Sequence, residues 1–193
     1  QQSGDTVQSD MSLAPLSMGG LTKGVTTRQM ATAFAAFPSG GIYRTSRTYT
    51  KVTHIVNDVE EVLLDNASTQ EQAVKPTTAY YMNSMLSGVV SSAGTAGSAR
   101  FSSSMGIAGK TGTTSSAYDR WFVGYTPYYT AAVWTGYEYN ARMSGPNRAI
   151  AMWKLVMEQV HKDLSAKKFA EPDGLTTVTV CKDSGLLATS FCE

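Results

Sequence analysis

The chain has 193 residues, enough for one domain with a substantial core. Hydrophobic residues make up 42% and charged residues 16%, and a net charge of +1 offers no basic surface to nucleic acid or to an anionic membrane. The long uncharged stretch Thr77 to Ala99 is too rich in Ser, Asn and Gly to be stable in a bilayer core, and Gln1-Gln2-Ser3-Gly4-Asp5 has neither the basic nor the apolar region of a signal peptide.

The segment through Thr26 is Gly-rich and mixed, and reads as if entered in mid-domain. Thr26-Thr27-Arg28-Gln29 has the form of a capping box, with Thr at the N-cap and Gln three residues on. The helix it opens is predicted to run to about Phe37, with Ala31, Ala33, Ala35 and Ala36 allowing close packing, until Pro38-Ser39-Gly40-Gly41 stops it. Ile42 to Val56 is β-rich. Asn57-Asp58 is a turn candidate, and Glu61-Val62-Leu63-Leu64 is the returning strand. Glu60-Glu61 therefore reads as a charged hairpin and not as an acid/base pair, which needs opposing geometry.

Pro76 suits a first helical turn, and Ala79, Met82, Met85, Leu86 and Val89 then recur at helical spacing. Ser91 to Ser98 is a Gly/Ser-rich loop. Three strand-like runs follow: Met105 to Gly112, Trp121 to Tyr125, and Thr130 to Thr135. The link Thr126-Pro127-Tyr128-Tyr129 is short enough for a hairpin, so the runs predict an antiparallel meander. Asp119-Arg120 reads as a solvated turn, with shaping of a cleft edge as the alternative. Trp134 and Trp153 are expected in the core. A long helix carries Ile150, Trp153, Met157, Val160 and Leu164 as one stripe, with His161 on its polar side. His54 belongs to a strand, and both histidines read as structural or solvated. Glu171-Pro172-Asp173-Gly174 breaks the pattern, Val178 to Cys181 is one more short strand, and Lys182-Asp183-Ser184-Gly185 turns the chain again. Cys181 and Cys192 are either two unrelated thiols or a local disulfide. His54 and His161 are too far from them and from each other to suggest a metal site.

The most informative stretch is Gly109-Lys110-Thr111-Gly112-Thr113-Thr114, entered from the apolar Ile107-Ala108. On a strand edge it offers a cation, hydroxyls, and a glycine that lets a ligand lie against bare backbone, which suits a carboxylate-bearing, peptide-like substrate. A Walker A motif does not fit. Its first glycine would fall at Ser104, and Gly112-Thr113-Thr114-Ser115-Ser116 is turn-like where a helix should open. Lys-Thr-Gly is one of three signatures of penicillin-binding proteins and serine β-lactamases.

With these residues in hand, the chain resembles class A penicillin-binding proteins, the bifunctional peptidoglycan synthases. Leu16 to Thr26, Met30 to Gly41, Ala79-Tyr80 with Met85-Leu86, Gly88-Val89-Val90, Gly94-Thr95-Ala96, Gly109 to Thr114, Trp121 to Pro127, and Val178 through Ser184-Gly185 to Cys192 follow in that family's order. Two signatures depart from the pattern. The only Ser-x-x-Lys, Ser165 to Lys168, lies downstream of Lys-Thr-Gly and reads as a solvated helix terminus, and no Ser-x-Asn occurs. The chain is therefore similar to the C-terminal half of a transpeptidase domain. Residues 1–171 would be the C-terminal portion of that domain, and residues 172–193 its last strand and Cys-bearing loop.

The resemblance implies an α+β, penicilloyl serine transferase fold, with a mainly antiparallel five-stranded sheet flanked by helices. It implies a D,D-transpeptidase that cross-links stem peptides through an acyl-serine and binds β-lactams. No metal or organic cofactor is implied. The implied partners are the N-terminal half carrying Ser-x-x-Lys and Ser-x-Asn, peptidoglycan stem peptides and β-lactams, with no nucleic acid and no membrane contact by this chain. Lys110 and Thr113 would be catalytic, Lys110 setting the field and the Thr113 N–H contributing to the oxyanion hole. Lys110, Thr111, Gly112, Thr113, Thr114 and Trp121 would bind substrate. The implied location is extracytoplasmic, with any signal or anchor outside this chain, and in that setting a Cys181–Cys192 disulfide is the favoured pairing. The isolated chain would be inactive. A same-fold β-lactamase, D-Ala carboxypeptidase or β-lactam sensor is one alternative, and a non-catalytic wall-binding module is another. An intact Lys-Thr-Gly-Thr edge argues against the second.

Overall fold

A three-stranded antiparallel sheet with helices on both faces forms the centre of the computed structural model, which describes residues 10, 12–21 and 23–190. The elements in chain order are α1 (Leu13–Met18), α2 (Thr27–Phe34), β1 (Ile42–Arg44), β2 (Lys51–Val56), β3 (Val59–Asp65), β4 (Gln70–Gln72), α3 (Pro76–Val89), β5 (Ala108–Thr113), β6 (Asp119–Tyr125), β7 (Thr130–Gly136) and α4 (Arg148–Val160). The central sheet has the order β5-β6-β7, the predicted meander, while β1 pairs with β4 and β2 with β3 as separate ribbons. Helix α1 has no counterpart in the sequence reading, because six residues are too few to show a helical period.

Alternation along β6 places the two helical layers. Phe122 and Tyr125 lie an odd number of residues apart and so point to opposite faces. Phe122 meets Ile150, Trp153 and Met157 of α4, together with Val90, Ala96, Ala99, Met105 and Ile107. Tyr125 packs with Ala108 and with Leu86, Met82, Phe34 and Phe37 from α3 and the α2 region. Trp153 is fully buried. Its indole N–H reaches the carbonyls of Gly124 and Ala131, both at 3.1 Å, and so ties α4 to β6 and β7.

The capping box at Thr26 is present, with the hydroxyl accepting from Gln29 N and the Gln29 side chain accepting from Thr26 N. Asn57 and Asp58 have φ of 50° and 62°, the left-handed pair that closes a two-residue hairpin. Both strands of that hairpin stay largely exposed, and Lys51–Glu60 and His54–Glu61 pair across it. Hydrogen bonds from Thr53 and then Lys51 hold the Glu60 carboxyl below its usual pKa.

Several expectations are corrected. Trp134 is 40% exposed, with its indole N–H at the surface donating to the Asp119 carboxylate at 2.9 Å, a partner that an apolar core would not supply. Met85 points outward, and Asn83 takes a buried place in α3. There the Asn83 carbonyl accepts from the Tyr125 hydroxyl (2.8 Å) and its NH2 donates to Phe37 O (3.1 Å). Burial pushes the Tyr125 hydroxyl pKa upward. Asp119 and Arg120 open β6 and do not form a solvated turn. Helix α4 stops at Val160, which is exposed, so Leu164 falls in the following turn. Ser165 and Lys168 lie in irregular chain, not at a helix end, and the Ser165 carbonyl accepts from the Tyr128 hydroxyl at 3.0 Å. Val178 to Cys181 is reduced to a single bridge between Val180 and Leu187 around the 182–185 turn. The Cys181–Cys192 pairing lies outside the described residues, since Cys192 is not among them.

His161 is buried, four residues beyond Met157, where the helical period turns inward again. Its Nδ1–H donates to Met157 O at 2.6 Å, so Nε2 accepts from the Thr126 hydroxyl at 2.8 Å. The Thr126 oxygen in turn accepts from Tyr128 N and Tyr129 N, closing the β6–β7 turn. Thr126→Val would leave His161 Nε2 and two backbone N–H groups without this partner. In the complete domain it is expected to cost about 1–3 kcal/mol, read as a lowered melting temperature; unchanged melting would show that the network contributes nothing.

Candidate active site

β5 is an edge strand of the central sheet, and β6 fixes its register: Lys110 opposite Val123, Thr111 opposite Phe122, Gly112 opposite Trp121 and Thr113 opposite Arg120. Gly109 is buried against β6. A Cβ there would come 2.7 Å from Phe122 Cζ and 2.8 Å from Val123 O, so no side chain fits. At Gly112 a Cβ would stand 3.2 Å from Trp121 Cβ, which places Trp121 beside the bare stretch of strand. Alternation sends Lys110 and Gly112 to one face and Thr111 and Thr113 to the other.

Lys110 and Thr113 are exposed, and Thr111 and Gly112 are half-buried. Lys110 Nζ donates to Thr111 O at 3.0 Å, which bends the ammonium back over its own strand. The Thr111 hydroxyl lies 3.3 Å from that of Thr95, in the Gly/Ser-rich loop that the sequence reading left without a role. Thr114 has a visible structural task. Its hydroxyl oxygen accepts from Tyr118 N (3.1 Å) and Asp119 N (3.0 Å), and its N–H donates to Asp119 O (3.2 Å), which closes the β5–β6 turn. The edge thus gathers one cation, the hydroxyls of Thr95, Thr111 and Thr113, and exposed strand backbone. A substrate bearing a carboxylate and a peptide backbone can be held by charge at one end and by strand pairing along its length. A separate cavity of about 350 Å³ lies at the other end of β6, between α2, Arg44 and Tyr128-Tyr129.

Residues 1–144 match the model of the penicillin-binding protein transpeptidase domain, and residues 171–193 match that of the C-terminal domain of penicillin-binding protein 1A. The chain belongs to the penicillin-binding protein transpeptidase family. It is 38% identical to penicillin-binding protein 1A of Clostridium acetobutylicum, over 92% of this chain and 22% of that protein. It is 37% identical to penicillin-binding protein 1F of Bacillus subtilis, over 64% of this chain and 17% of that one. The chain therefore spans about a fifth of the length of these curated relatives. Its fold is similar to penicillin-binding protein 1A of Haemophilus influenzae, with a TM-score of 0.71 at 17% identity, covering 88% of this chain and 31% of the other. It is also similar to the D,D-transpeptidase domain of a peptidoglycan glycosyltransferase from Eggerthella lenta, with a TM-score of 0.56 at 27% identity, covering 73% and 33%. The helix-flanked antiparallel sheet is thus the transpeptidase fold of penicillin-binding proteins, with three strands of its central sheet among the described residues. Among those residues, no helix is long and apolar enough to cross a membrane.

Proposed function

We propose that the chain forms the Lys-Thr-Gly side of a peptidoglycan D,D-transpeptidase site. The observation that carries this reading is the edge strand β5, with Lys110, Thr111 and Thr113 held in register against β6 and only Gly112 between the two threonines. In the reaction a serine hydroxyl attacks the penultimate D-Ala carbonyl of a stem peptide, D-Ala leaves as the amine, and the acyl group passes to an amine of a neighbouring stem. Lys110 holds a positive charge near the serine and the substrate carboxylate. Thr111 and Thr113 donate hydroxyl hydrogen bonds to that carboxylate, and the Thr113 N–H shares the oxyanion hole with the N–H of the serine. Losing one such donor typically costs on the order of 10²–10³ in rate. Gly112 keeps the edge open for the substrate strand, with Trp121 beside it. Thr114 contributes by closing the turn that ends this edge.

The serine and its partners, in Ser-x-x-Lys and Ser-x-Asn form, are assigned to an N-terminal half of the same domain, and a β-lactam acylates the same serine. On this reading residues 1–171 complete the domain from its C-terminal side, and residues 172–193 end it with a Cys181–Cys192 disulfide. The parent protein works on the outer side of the cytoplasmic membrane, with its anchor elsewhere in the protein. The test is a fluorescent penicillin followed by mass spectrometry. The complete domain is expected to form a penicilloyl ester on a serine outside these 193 residues, and the isolated chain to form none. A stable adduct on one of this chain's own serines would overturn the division of labour; a complete domain that is never acylated would overturn the activity.

A further inference from the structure

The β5–β6 turn does not stand alone. Arg120, directly opposite Thr113 in the ladder, turns its guanidinium onto a run of backbone carbonyls in the loop between β7 and α4. One of its terminal nitrogens donates to Gly145 O at 2.6 Å and Pro146 O at 2.7 Å, and more loosely to Ser144 O at 3.5 Å; the other donates to Met143 O at 2.8 Å. The same loop returns two contacts: Met143 N donates to Ala117 O at 3.0 Å, inside the β5–β6 turn, and the Asn147 side chain donates to Trp121 O at 3.0 Å. Gly145 bends the loop into this shape at φ 74°. One half-buried guanidinium therefore directs both of its terminal nitrogens onto backbone oxygens and pairs with no carboxylate among the described residues. The fork geometry of arginine suits this spanning task, and a lysine ammonium cannot spread over the same carbonyls.

We propose that Arg120 is a positioning residue for acylation: by fastening residues 143–146 over the β5–β6 turn, it holds Thr113 and the end of the Lys-Thr-Gly edge in place. The inference rests on the transpeptidase reading above. Arg120 acts through backbone and touches no reacting atom. A displaced oxyanion donor slows the chemical step more than it weakens encounter with the β-lactam, since small misplacements at a reacting centre can cost about 10²-fold. Arg120→Gln in the complete domain is expected to lower the maximal acylation rate by about 10- to 100-fold, with a smaller change in the concentration for half-maximal rate. Arg120→Lys should recover little of it, because the lost function is reach and not charge. Arg142→Ala, on an exposed part of the same loop, should acylate at the wild-type rate.

The experiment is stopped-flow acylation over a range of penicillin concentrations, with melting temperatures measured in parallel. Thr126→Val serves as a control that lowers stability away from the site; a purely structural role for Arg120 would slow acylation only as far as that control does at an equal loss of melting temperature. Should Arg120→Gln fail to fold, Gly145→Ala strains the clamped loop without removing the guanidinium, and the same slowing of the maximal rate is expected in milder form. Wild-type acylation by Arg120→Gln or, where that variant does not fold, by Gly145→Ala would overturn the inference and leave the transpeptidase reading intact. A wild-type complete domain that is not acylated would bring down both.

Discussion

Lys110→Ala in the complete domain is expected to slow acylation by penicillin about 10- to 150-fold while the protein melts normally. The figure is the rate equivalent of one lost charge-assisted hydrogen bond, roughly 1.5–3 kcal/mol. Normal melting follows from the exposure of Lys110 and from its single side-chain hydrogen bond, to the carbonyl of its own neighbour Thr111. Thr111→Ser keeps a hydroxyl in place and should be much milder. Lys110→Arg should rescue only in part, because a planar guanidinium is bulkier than an ammonium and cannot place a compact charge at the same edge. Acylation at the wild-type rate by a normally melting Lys110→Ala protein would remove Gly109 to Thr114 from the site and leave the fold assignment untouched.

The largest effect on stability is expected at Trp153. This side chain is fully buried, stacks edge-on against Phe122 with ring centroids 5.1 Å apart, and supplies the N–H shared by Gly124 O and Ala131 O. Trp153→Ala removes the packing and opens a cavity between α4 and the sheet, at a cost of about 3–5 kcal/mol. That is a large part of the stability of an ordinary domain. Gly124→Ala should also destabilise, by about 1–3 kcal/mol, since the added methyl would sit 2.7 Å from the indole ring. The two changes should not add. Without the indole the methyl keeps only its contact with the Phe122 ring edge, at 2.8 Å, and that ring can move into the space vacated, so the double variant should be more stable than the sum of the single losses predicts. Denaturant melts of the four proteins test this, and strict additivity would show that the indole does not set the space at Gly124.

Much of the local structure was legible because it depends on neighbours in sequence. The Thr26 capping box, the Asn57-Asp58 turn and the Ile150, Trp153, Met157 stripe each involve residues within a few positions of one another, and all are present. The meander was legible from three apolar runs with short links. The Lys110 to Thr113 edge was legible because residue types and strand context coincide in one six-residue run. Composition and periodicity left Trp134, Met85 and His161 on the wrong side. Hydrophobic character says that a side chain gains from burial, but not whether another element arrives to cover it.

The amino-acid sequence by itself determined the family, the meander and a Lys-Thr-Gly-Thr edge. Tertiary structure alone decided what braces that edge. Arg120 finds its carbonyls 23 to 26 residues away, His161 meets Thr126 across 35 positions, and Asn83 joins Tyr125 to Phe37 over 42 and 46. Each is a polar group whose ordinary place is in water. It sits half-buried or buried here because folding brings a matching donor or acceptor to it, and no local pattern of residues encodes a partner that only the closed sheet and its helices can deliver.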